Sequence, residues 1–133
     1  DLWDDEGRSP VWIASAAGLD LAVDALIVAK ADVSLADNFG STPRFAAAQE
    51  GRTACARLLL QNGAEAGLSV WAAARQGHFE VARLLIAHGA DVDKPSNDGS
   101  KPVKAARAAG YDDVADLLIG AGARDGKLPF VTA

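Results

Sequence analysis

Residues 37–65, DNFGSTPRFAAAQEGRTACARLLLQNGAE, read as a β-turn, a short helix, a glycine turn, a second helix and a glycine stop. Thr42 is placed to cap the first helix, and Pro43 at the first helical position forfeits no hydrogen bond. Gly51 supplies the left-handed residue that a sharp reversal needs, and Gly63 does the same where the second helix ends. The unit recurs. Gly7 and Gly40 lie thirty-three residues apart, as do Gly18 and Gly51, and Gly77 and Gly110. Further copies hold Gly7-Arg8-Ser9-Pro10, the run Arg75 to Val92, and Asp98-Gly99-Ser100-Lys101-Pro102 through Gly122-Ala123.

A period of about 33 with this turn–helix–turn–helix pattern resembles the ankyrin repeat. The resemblance covers nearly the whole chain and implies an all-α solenoid of four helix-turn-helix repeats with short β-turn fingers. The expected repeats occupy roughly 4–36, 37–65, 66–95 and 96–125 of a single domain spanning 1–133. Residues 126–133 superpose on the opening of another repeat, so they read as a partial fifth repeat or as an apolar tail. Both readings set Leu128 and Phe130 against the fourth repeat.

The third copy departs from the others. Gly63 to Gly89 spans twenty-six residues, seven short of the period, and the missing part is the turn segment before Leu68-Ser69-Val70-Trp71. Fingers are therefore expected at 4–7, 37–40 and 96–99 and none at 64–67, leaving a notch in the row. Ser69 stands where proline is usual, which suggests a cap shifted by one residue.

Other departures are local. Lys30 replaces the stop glycine of the other copies, so that helix end calls for a different device. Asp20 and Asp24 suggest a polar outer face for the first repeat. Lys101 stands where the cap threonine belongs, leaving Ser100 or backbone to serve. Arg44 interrupts the column Val11, Val70, Val103. An unpaired buried charge is expensive, so it should escape to solvent, find a carboxylate or reach a ligand. The next column, Trp12, Phe45, Trp71, Lys104, is an aromatic file that reads first as packing between repeats and second as a stacking platform. Its residues stand where the family usually carries histidine, which removes the family's Thr–His hydrogen bonding.

Half of the 133 residues are apolar, enough for a core that each repeat shares with its neighbours. The net charge of −5 argues against nucleic acid and favours a protein partner with a basic or neutral surface. No stretch is long and apolar enough to span a bilayer, and Asp1-Leu2-Trp3-Asp4-Asp5 is not a signal peptide. One cysteine excludes an internal disulfide framework and fits a reducing, intracellular compartment.

No catalytic, cofactor or metal constellation is visible. Cys55 falls in the inward column Ala22, Val81, Val114 and reads as a buried, inert thiol. His78 reads as a helix-start residue and His88 as a last-turn cation; ten residues apart, they lack a metal-ligand spacing. The carboxylates are scattered rather than paired. The resemblance instead implies a non-catalytic interaction module whose concave surface is built from finger tips and first-helix ends. Carried over by position, the tips are Asp5, Glu6, Arg8, Asn38, Phe39, Ser41, Asn97, Asp98 and Ser100. The helix ends are Gln49, Glu50, Arg75 and Gln76, flanked by Ala16, Ala17, Ala108 and Ala109. The alternative is a structural unit that self-associates end to end, because Trp3 at one end and Leu128-Pro129-Phe130-Val131 at the other are poor polar caps.

Overall fold

The computed structural model describes residues 4–63 and 68–123. Among them are eight helices and no strands: α1 (Pro10–Ala17), α2 (Asp20–Val28), α3 (Pro43–Glu50), α4 (Thr53–Gln61), α5 (Ser69–Gln76), α6 (Phe79–Ala87), α7 (Pro102–Ala108) and α8 (Asp112–Gly120). Each odd helix packs on the even helix that follows. The odd helices stack in one row and the even helices in a second. This is the expected solenoid of helix pairs. Trp3, the linker 64–67 and the proposed tail 126–133 lie outside the described residues.

Why these segments are helices follows from their ends. Ser9 and Thr42 cap α1 and α3 by accepting the N–H of Trp12 at 3.2 Å and of Phe45 at 3.1 Å. Such caps contribute about 1 kcal/mol each. At α5 the N-cap is Leu68, and Ser69 takes the first helical position held by proline elsewhere, so the cap does not shift. At α7 the N-cap is Lys101, and no side chain caps the helix.

The first helices end in glycines whose conformation and surroundings exclude other residues. Gly18, Gly51 and Gly77 have φ of 76°, 72° and 74°. A Cβ on Gly18 would lie 2.9 Å from Arg52 Cδ, one on Gly51 2.6 Å from His78 Nδ1, and one on Gly77 2.5 Å from Tyr111 Cδ1. Arg52, His78 and Tyr111 share one register, just before the second helix of each later repeat. Two of them also bond backward: Arg52 Nε donates to the Ala16 carbonyl at 3.0 Å and His78 Nε2 to the Gln49 carbonyl at 2.9 Å. His78 was expected to help start α6; it caps nothing there and ties the repeat to its predecessor instead.

The core runs the length of the stack. Leu59, Leu85 and Leu118 are fully buried at equivalent positions of α4, α6 and α8, each contributing roughly 1.5–3 kcal/mol of transfer free energy. Alanines line the odd row, including Ala46–Ala48 and Ala72–Ala74, and let those helices approach closely.

One local expectation is corrected and two are narrowed. Lys30 makes the helix stop in the same way as the glycines, with φ of 70°, at a steric cost of about 1–2 kcal/mol. The outer face of the first repeat is mixed rather than uniformly polar: Asp20 and Asp24 are exposed as expected, and Leu21 at 82% and Val28 at 74% are exposed beside them. Arg44 does not escape to solvent. It is 1% exposed, and its side chain is engaged rather than isolated.

The turn-glycine geometry has a direct consequence for stability. Gly63 also has a positive φ, 86°, but nothing lies within 4 Å of its absent Cβ. Gly63→Ala should therefore cost only the left-handed strain, about 1–2 kcal/mol. Gly51→Ala should cost at least about 1 kcal/mol more, through displacement of His78 and loss of its bond to Gln49. Urea unfolding of the two variants measures the difference.

Candidate functional site

Finger geometry begins with short polar side chains that fold the backbone over themselves. In the first finger Asp4 Oδ1 accepts the N–H of Glu6 at 3.0 Å and of Arg8 at 2.9 Å. In the second, Asp37 Oδ1 accepts from Phe39 and Ser41, both at 2.9 Å. In the last finger Ser96 holds that position, and its hydroxyl donates to Asp98, which also accepts the Ser100 N–H at 3.0 Å. A tight turn closes each: the N–H of Gly7, Gly40 and Gly99 donates to Asp4, Asp37 and Ser96 carbonyls respectively. The fingers thus occupy 4–7, 37–40 and 96–99, as the spacing predicts. The stretch 64–67, where no finger is expected, lies outside the described residues.

The connections show how the row is interrupted. Fourteen residues join α2 to α3 (29–42) and α6 to α7 (88–101), but only seven join α4 to α5 (62–68). The first two fingers are hydrogen-bonded neighbours: Asn38 N–H donates to the Glu6 carbonyl at 2.9 Å, and Asn38 Nδ2 to the Asp5 carbonyl at 3.4 Å. The second and last fingers instead face each other across a notch of about 720 Å³. Phe39, Phe45, Leu68 and Trp71 supply its apolar lining, and Asn97 and Asp98 lie on its far side. Trp71 and Asp98 also line an adjoining recess of about 430 Å³ that reaches Arg75 and Ala108.

Charge follows the fingers. Arg8 pairs with Asp4 at 2.6 Å and Glu6 at 3.2 Å. Main-chain bonding from Arg8, with its guanidinium, holds the Asp4 carboxyl below the usual range. The Ser96 hydroxyl and the Ser100 N–H, followed by the more distant Lys104 charge, lower that of Asp98. Two arginines lie over indoles, Arg8 at 5.3 Å from the Trp12 centroid and Arg75 at 5.4 Å from that of Trp71.

The residues singled out from the sequence fall into two groups. Asp5, Glu6, Asn38, Phe39, Asn97 and Asp98 are exposed on the fingers, with Arg8, Ser41 and Ser100 half-buried at their bases. Gln49 and Glu50 end α3, and Arg75 and Gln76 end α5, all exposed. The notch unites Phe39, Ser41, Asn97 and Asp98, while Arg75 and Ser100 join through the recess; Asp5, Glu6, Arg8, Asn38, Gln49, Glu50 and Gln76 line neither. Phe45, Leu68 and Trp71 were not among the candidates. Phe45 and Trp71 pack against the core, as the aromatic file predicts, yet they also line the notch.

Among the described residues no group of three His, Cys, Asp or Glu side chains is arranged to hold a metal ion. Cys55 is 1% exposed, and burial, reinforced by Asp20, pushes its thiol pKa up, which disfavours the reactive thiolate. His88 Nδ1 donates to the Leu84 carbonyl at 3.0 Å, filling a helix-end acceptor. Among the described residues no helix is long and apolar enough to cross a membrane.

A family model described as ankyrin repeats (three copies) matches residues 1–70 and again 68–127. The chain belongs to the ankyrin-repeat family. Ankyrin repeats are generally protein–protein interaction modules and typically non-catalytic. Comparison with curated proteins gave no match. Within the ankyrin framework, the departures carry this chain's individuality: a shortened connection between α4 and α5, Arg44 in an aliphatic column and aromatics in the histidine column.

Proposed function

We propose that this ankyrin-repeat chain is a non-catalytic module that holds a protein partner against its finger tips and the exposed ends of α1, α3, α5 and α7. The observation that carries the reading is Phe39, an aromatic ring 82% exposed at a finger tip. A ring left in water at a tip gains by burial against a partner, and aromatic residues with arginine dominate interface energetics. Glu50, Arg75 and Gln76 present long polar side chains on the adjacent helix ends, with small alanines on either side. The acidic balance favours a basic or neutral protein surface and disfavours nucleic acid.

End-to-end self-association is the second reading, and the exposed Leu19, Leu21 and Val28 of the first helix pair favour it. Leu19 holds the register from which Arg52, His78 and Tyr111 turn back on the preceding repeat.

Two measurements separate the readings. Alanine substitution of Phe39, Glu50, Arg75 and Gln76 should weaken capture of a protein partner, Phe39 most, by at least about tenfold (~1.4 kcal/mol) in calorimetric titration. Unchanged affinity in all four would reject this surface. Sedimentation velocity should give a single monomer species across a hundredfold concentration range; a concentration-dependent shift abolished by Leu21→Asp would favour self-association instead.

A further inference from the structure

The finger row contains a register of main-chain groups that the shortened connection leaves open. Between the first two fingers the Glu6 carbonyl accepts the Asn38 N–H at 2.9 Å. One repeat further on, the counterpart of Glu6 is Phe39; in the last finger the counterpart of Asn38 is Asn97. Neither the Phe39 carbonyl nor the Asn97 N–H is hydrogen-bonded among the described residues. Both residues line the 720 Å³ notch, one from each side. The opening therefore presents an acceptor on one wall and a donor on the other, in the arrangement that a finger between them would satisfy.

Its floor and rim add side-chain specificity. Phe45, Leu68 and Trp71 give an apolar floor. The equivalent indole in the first repeat, Trp12, donates to the Ser41 carbonyl at 3.0 Å, whereas the Trp71 N–H is buried without an acceptor. Asp98 supplies a carboxylate at the rim, and hydrogen bonds from Ser96 and Ser100 keep it ionised. The fingers carry Asp4, Asp5, Glu6, Asp37 and Asp98 against Arg8, which is already paired with Asp4 and Glu6. Lys104 on α7 offsets part of the Asp98 charge, but it is exposed on a flexible stem.

We propose that this notch docks an extended peptide segment of a partner protein as a surrogate finger. Its main chain bonds the Phe39 carbonyl and the Asn97 N–H, an apolar side chain rests on Trp71 and Phe45, and a neighbouring lysine or arginine meets Asp98. The recognition combines strand-like main-chain pairing with side-chain pockets, the general logic of peptide addition to an open edge. A volume of about 720 Å³ holds several residues, far more than one methyl or ammonium group. This inference rests on the interaction role proposed above, but it is specific to the shortened connection.

The test is a random heptapeptide phage library selected on the full chain and on a refilled variant. That variant carries a copy of residues 34–40 inserted between Ala66 and Gly67, which restores the fourteen-residue connection without altering any notch side chain. Enriched peptides should place an aliphatic or aromatic residue beside lysine or arginine. Synthetic versions should bind the refilled variant and Trp71→Ala at least tenfold more weakly by fluorescence polarisation. Asp98→Lys reverses the rim charge at an exposed position, at the expense of the Ser96 and Ser100 bonds within that finger, and should shift selection toward acidic peptides even where the insertion fails to fold. Failure to enrich any peptide, or a consensus that Asp98→Lys leaves unchanged, overturns the proposal. Equal binding to the chain and to a folded refilled variant also overturns it, while leaving the broader interaction role to the alanine substitutions.

Discussion

Each repeat can sit on the last only because a turn glycine leaves space for a side chain of its successor. Arg52, His78 and Tyr111 crowd Gly18, Gly51 and Gly77 so closely that no Cβ fits at its ideal position. The left-handed φ and the close approach demand glycine at the same point for independent reasons. This constraint sets the register of the helix pairs. With register fixed, Leu59, Leu85 and Leu118 form one buried file and the alanine-rich odd helices stack at short range. Stability in such an array is a sum of neighbour interfaces, so a change in one connection need not disturb the rest.

That modularity is what allows the connection between α4 and α5 to be seven residues shorter than its counterparts. Helix pairs on either side still stack, since α3 packs on α5 and α4 on α6. What changes is the surface. Two fingers that would each have had a hydrogen-bonded neighbour face one another across an aromatic-lined opening. Side chains that serve packing elsewhere in their column thereby become accessible, and a structural abbreviation creates a recognition feature.

Much of the architecture was legible from spacing alone. The glycine period gave the alternation of short helices and turns, because turns that need positive φ admit few alternatives. The short connection between α4 and α5 was a matter of counting. Other features depend on neighbours that spacing does not display. Trp71 reads as core in its column, and only the shortened connection before α5 makes it lining as well. His78 looks like a helix-start residue until its bond to Gln49 is seen, across twenty-nine positions of sequence. Lys30 misled because a residue other than glycine can adopt the left-handed stop when the rest of the helix end enforces it. Asp20 and Asp24 suggested a polar outer face, but Leu21 and Val28 between and beyond them point outward as well.

The open gap between the second and last fingers is the claim on which the functional account turns, and a spin–spin distance tests it most directly. In a Cys55→Ala background, nitroxide labels would be placed at Asn38→Cys and Asn97→Cys, with Asp5→Cys and Asn38→Cys as the adjacent-finger reference. With helices about 8–10 Å apart, the account predicts that the 38–97 separation is roughly twice the 5–38 separation. Equal separations in the two pairs would mean that the fingers close up on one another and that no notch exists.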